Sequence, residues 1–128
     1  MVSKAKIMVV EDNIDEVKLL KMIFEPEGYE VVTALNGKEA KEKMEKEKPD
    51  LIVLDVMMPE MDGFALCSWI RSNKDYKDIP VVLLTGVAER IRDTKYPLNG
   101  VLRADADDYL EKPIKPEVLL DTVARLLK

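Results

Sequence analysis

The 128-residue chain is predicted to fold as an α/β domain, a doubly wound five-stranded parallel sheet with helices on both faces. Three observations carry this. Short apolar runs alternate with stretches of helical periodicity, the runs are almost continuously apolar, and Gly, Pro and Asn punctuate the joins. A strand covered on both faces reads as such a run, and parallel strands need a helical crossover to return the chain.

Each element follows in order. Ile7 to Val10 is the first strand, and Val17, Leu20 and Phe24 form the inward face of a first helix that Asp12 or Asn13 can cap. Gly28 breaks the chain before Val31–Val32, the second strand. Asn36 caps a second helix with Ala40 and Met44 inward, while its Lys38–Lys48 run alternates lysine and glutamate as a solvated face. Beyond Pro49, Leu51 to Leu54 is the third strand, and Leu66 with Ile70 marks the third helix. Val81 to Leu84 is the fourth strand and Ala106 to Leu110 the fifth, with Pro97, Asn99 and Gly100 breaking or ending a fourth helix between them. Pro116 suits the first turn of a fifth helix, to which Val118, Val123, Leu126 and Leu127 belong. With no repeat or linker in view, residues 1–128 are expected to form a single domain.

Composition excludes several chemistries. The apolar fraction is 47% and the charged fraction 35%, enough to fill one core and cover it. Twenty basic residues against 25 acidic ones leave a charge of −5, the wrong sign for direct binding to nucleic acid. No apolar run approaches the roughly 18 residues of a membrane span, so no membrane role and a cytoplasmic location are expected. Histidine is absent and Cys67 is the single cysteine, which removes imidazole ligands, Ser-His or Cys-His nucleophiles, disulfides and thiolate metal cages. What remains is carboxylate, hydroxyl and lysine chemistry.

In doubly wound folds ligands bind outside the carboxyl ends of the strands. Here the first strand ends in Glu11 and Asp12, the third in Asp55, the fourth in Thr85, and the fifth leads through Tyr109 to Lys112–Pro113. Three carboxylates at one rim repel one another unless cations answer them. Lys112 supplies one positive charge, and a hard divalent ion held by oxygens, Mg2+ above all, suits the remainder. Such a site fits phosphate chemistry.

These residues resemble the receiver domain of two-component response regulators. The resemblance rests on Val9-Val10-Glu11-Asp12-Asn13, Leu54-Asp55-Val56-Met57-Met58-Pro59 with Met61-Asp62-Gly63, Leu84-Thr85-Gly86, and Ala106-Asp107-Asp108-Tyr109-Leu110-Glu111-Lys112-Pro113, and it spans essentially the whole chain. It implies a flavodoxin-like strand order 2-1-3-4-5. It also implies Asp55 as phosphoacceptor, Asp12 and Asp55 as direct Mg2+ ligands, Glu11 acting through a water, and the backbone carbonyl of Met57 completing the set. The phosphoryl donor would be a phosphohistidine on a sensor histidine kinase or a histidine phosphotransfer domain, with Lys112 neutralising charge on the moving group. Thr85 and Tyr109 would then shift and alter the face built from the fourth helix, fifth strand and fifth helix, which meets an output protein or a fused effector domain. On this reading the chain is a signalling domain rather than an enzyme acting on other substrates.

Departures from the family pattern fall in three places. Glu11 stands where the family often has aspartate, which keeps a carboxylate near the ion. Met57 and Val87 occupy two positions that influence dephosphorylation, and neither side chain can orient an attacking water, so slow loss of phosphate is expected. Between Thr85 and Tyr109 the chain spends about one helical turn more than is usual, and Asp105 replaces a common glycine.

Taken singly, each residue has a plainer reading. Glu11–Asp12 alone would be a helix cap with an acidic first turn, Thr85 a strand end, Lys112 a surface lysine before a turn, and Tyr109 a half-buried aromatic. Asp55 is harder to dismiss, since a carboxylate directly after four buried-type residues has desolvation to explain. Met57, Met58 and Met61 read as packing rather than as a soft metal site. The first helix carries surplus apolar residues, Ile14, Leu19, Met22 and Ile23, either simply buried or, by resemblance, a docking face for the donor. A phosphatase with a strand-end aspartate nucleophile would need a second aspartate where Met57 stands, and a flavodoxin-like cofactor binder would find Glu11–Asp12 repelling its phosphate. The remaining alternative is a protein-interaction module that works without phosphorylation.

Overall fold

The computed structural model of the chain describes residues 5–55, 63–85 and 106–128, the side chains of Gly63, Phe64 and Thr85 excepted. Nine main elements follow in order: β1 Lys6–Val10, α1 Ile14–Phe24, β2 Glu30–Ala34, α2 Gly37–Lys46, β3 Leu51–Asp55, α3 Gly63–Ser72, β4 Val81–Thr85, β5 Asp108–Glu111 and α4 Pro116–Leu126. The helix expected between β4 and β5, with Pro97, Asn99 and Gly100, lies outside the described residues, so α4 is the fifth helix of the sequence reading. All strands pair in parallel, in the order β2-β1-β3-β4-β5.

The pleat divides the core in two. Met8, Val10, Ile52, Leu54, Val81 and Leu83 face Ala40 and Met44 of α2 and Leu66, Cys67 and Ile70 of α3. Their neighbours Ile7, Val9, Leu51, Val53, Val82 and Leu84 face Leu20, Ile23 and Phe24 of α1 and Leu119 and Val123 of α4. Both sides of β1, β3 and β4 are covered, which is why these strands read as unbroken apolar runs. Among the described residues no helix is long and apolar enough to cross a membrane.

Local chemistry sets the element ends. Asn13, not Asp12, caps α1 by accepting from the Glu16 N–H at 3.1 Å, and Asn36 caps α2 by accepting from the Glu39 N–H at 2.8 Å. Gly28 closes the turn after α1 with φ 94°, in the left-handed region that glycine occupies without a Cβ clash. Pro116 opens α4 as expected.

Two expectations need correction. The second strand extends beyond Val31–Val32 to Glu30–Ala34, because an edge strand tolerates polar residues that interrupt the apolar run. The fifth strand is Asp108–Glu111 rather than Ala106–Leu110. There the Asp107 carboxylate accepts from the Val81 N–H at 2.7 Å, taking the place of a ladder carbonyl, and it also accepts from Arg71 at 2.7 Å. In α4 the inward face falls on Leu119 and Val123, one helical turn apart, and Val118 is 42% exposed.

Candidate functional site

Register brings the site together. Val10 lies opposite Leu54, so Glu11 and Asp55 emerge beside each other at the carboxyl ends of β1 and β3. Asp55 is opposite Leu84, and Thr85 opposite Glu111, so Thr85 and Lys112 end the neighbouring strands at the same rim. Glu11 is 1% exposed and Asp55 3%, while Asp12 is exposed.

Lys112 reaches into this acidic group from the loop after β5, where its peptide bond to Pro113 is cis. Its Nζ lies 3.1 Å from Asp55 Oδ2, 3.5 Å from Glu11 Oε2 and 2.6 Å from Glu16 Oε2. Glu16 is a member that sequence reasoning missed.

Charge is not balanced by Lys112 alone. Glu11 Oε1 accepts from the Asn13 N–H at 3.1 Å, but its buried Oε2 has no donor at hydrogen-bonding geometry. Burial first, and then proton sharing with Glu16 and Asp55, pushes the Glu11 carboxyl up to about 9. Glu16 moves the other way, held low by the Glu11 hydrogen bond and by Lys112. Burial pulls the Lys112 ammonium down, but the hydrogen bonds and charges of Glu16, Asp55 and Glu11 outweigh it and raise its pKa.

A hard divalent cation fits this donor set. Glu11, Asp12 and Asp55 each offer a carboxylate oxygen, all within 4.8 Å of one another, and the orphaned Glu11 Oε2 is among the groups that such an ion would satisfy.

The other expected site residues are placed less fully. Tyr109 is half-buried in β5 and packs on the α2/α3 side of the sheet, with its N–H donating to Asp108 Oδ1 at 2.8 Å. Thr85 ends β4, its side chain outside the description, and Met57 and Val87 lie outside the described residues altogether. On α1, Ile14, Leu19 and Met22 are 54%, 41% and 71% exposed, whereas Ile23 is buried in the core.

A parallel sheet with a buried, lysine-bridged acidic group at the carboxyl ends of β1 and β3 defines a class of doubly wound α/β domains that carry their site where the strand order reverses. Residues 7–124 match the family described as the response regulator receiver domain, and the chain belongs to it. It is 41% identical over 123 residues to the alkaline phosphatase synthesis transcriptional regulatory protein PhoP of Bacillus subtilis, covering 96% of this chain and 48% of that protein. The chain thus spans about half the length of the curated relatives it matches. Among solved structures, the signal receiver domain of a histidine kinase from Syntrophus aciditrophicus is 40% identical with a TM-score of 0.83, covering 96% of this chain and 89% of that one. The response regulator TrrA of Thermotoga maritima, in complex with Mg2+–BeF, is 34% identical with a TM-score of 0.81, covering 95% and 98%.

Proposed function

We propose that residues 1–128 act as a single receiver domain that accepts a phosphoryl group on Asp55 and changes its output face in response. The observation that carries this is Asp55 itself, a 3%-exposed carboxylate at the end of a buried strand with the Lys112 ammonium 3.1 Å away. A carboxylate so placed is desolvated and aimed at the rim, where a donor can approach. Its Oδ attacks the phosphorus of a phosphohistidine donor. The O–P bond forms as the N–P bond breaks, the nitrogen keeping the electron pair and the imidazole departing. Lys112 lies where it can neutralise charge on the transferring oxygens. Glu11, Asp12, Asp55 and the Met57 carbonyl would hold Mg2+, which supplies further positive charge against those oxygens.

The donor class is a sensor histidine kinase or a histidine phosphotransfer domain, and the exposed Ile14, Leu19 and Met22 of α1, the helix that starts at this rim, offer it apolar surface. Thr85 and Tyr109 serve as the switch, relaying the new charge to the β5 face and an output protein or fused effector domain. The domain works on itself rather than on a free substrate. Met57 and Val87 leave no side chain to orient a hydrolytic water, so the aspartyl phosphate persists.

Treatment with acetyl phosphate and Mg2+ followed by intact-mass measurement tests this. One added phosphoryl group in the wild type and none in Asp55→Ala is expected. An unmodified wild type, or equal modification of Asp55→Ala, would favour the interaction module that works without phosphorylation.

A further inference from the structure

Lys112 is closest not to the acceptor but to Glu16: Nζ is 2.6 Å from Glu16 Oε2 against 3.1 Å from Asp55 Oδ2. We infer that Glu16 is a positioning residue that shares the Lys112 ammonium with Asp55 and so restrains phosphorylation, an inference that rests on the receiver reading above.

Glu16 owes its place to α1, not to the ion pair. Its backbone N–H donates to the Asn13 cap at 3.1 Å, which fixes the first turn whether or not the side chain finds Lys112. The two residues are 96 apart in sequence, so the pair forms only where α1 meets the β5–α4 loop. Both side chains are mostly covered, Lys112 at 19% and Glu16 at 29% exposure, which limits screening by salt. An ammonium has three donors, and Glu16 and Asp55 each already take one at hydrogen-bonding distance. An arriving phosphoryl group brings new acceptor oxygens that compete for the same cation. Glu16 draws Lys112 away from them and adds a negative charge beside them. Glu16→Gln keeps the shape and removes both effects.

The experiment measures initial phosphorylation rates with acetyl phosphate and Mg2+ by intact mass, in wild type, Glu16→Gln and Glu16→Asp, and again in a Lys112→Met background that keeps the side-chain stem. Glu16→Gln is expected to react about tenfold faster, and Glu16→Asp, which keeps the charge, to stay nearer the wild type. In the Lys112→Met background the acceleration should shrink to the small part that the lost charge alone gives, because the main coupling runs through the ammonium. An unchanged or slower rate in a Glu16→Gln chain with a wild-type thermal midpoint overturns the inference. So does an equal acceleration in Lys112→Met, which would mean that Glu16 acts without Lys112. A wild type that takes no phosphoryl group at Asp55 defeats the receiver reading itself, whereas one that reacts but is indifferent to Glu16→Gln defeats the positioning role alone.

Discussion

The two ends of the sheet carry nearly the same charges and treat them in opposite ways. Where the strands begin, Lys6 pairs with Glu47 at 2.8 Å and Glu30 at 3.9 Å, and its N–H donates to the Asp50 carboxylate at 2.7 Å. Where they end, Lys112 faces Glu16, Asp55 and Glu11. Each lysine thus meets three carboxylates. At the first rim Glu30 and Glu47 keep 50% and 46% of their side chains in water, and Glu47 is held low and Lys6 raised by their mutual hydrogen bond. At the second, Glu11 and Asp55 keep 1% and 4%, and Glu11 is driven up to about 9. Counting charges does not separate a solvated ion-pair cluster from a site, but burial does.

The largest expected difference between the rims is chemical. Asp55→Ala should lose phosphoryl transfer completely in the intact-mass assay, whereas Asp50→Ala, at the solvated rim, should react at the wild-type rate. Next comes the lysine. Lys112→Met removes the cation from two buried carboxylates, and denaturant unfolding in metal-free buffer should show a loss of roughly 2 kcal/mol, below the range for fully buried pairs because Lys112 keeps some contact with water. Lys6→Met should leave the unfolding midpoint nearly unchanged.

A smaller effect distinguishes the rims by pH. The Glu11 carboxyl is raised from its ordinary 4.5 to about 9, so folding favours its neutral form. Its contribution is complete below about 4.5 and is lost as pH rises toward about 9. Glu16, whose pKa is depressed, acts in the opposite sense, its contribution lost on acidification below its ordinary 4.5, so the two windows hardly overlap. Thermal melts of the metal-free chain should therefore show a midpoint falling between about pH 5 and about pH 9, and Glu11→Gln should flatten that slope. The smallest effect lies away from both rims: Asn36→Ala, which removes the α2 cap, should cost about 1 kcal/mol in the same unfolding experiment without altering phosphorylation.

Much of this was legible in the residues because burial writes itself into the pattern. β1, β3 and β4 are covered on both faces, so their apolar runs are unbroken and their ends mark the rim within one residue. β2 was harder, since an edge strand carries Glu30 and Thr33 among its apolar residues. β5 was misplaced by two residues at its start, because the Asp107 side chain substitutes for a backbone partner and no local pattern announces that. The acidic residues of the site were readable from their strand ends. Glu16 was not, since its significance depends on Lys112, 96 residues away, and only the packed fold joins them.

The most direct test of the central claim is to locate the phosphoryl group. After reaction with acetyl phosphate and Mg2+, borohydride reduction converts an aspartyl phosphate to homoserine, and peptide mapping reads its position. Homoserine at position 55 and at no other residue is expected. Label at Asp50 or elsewhere on the solvated rim, or no label in a folded wild type, would contradict the account.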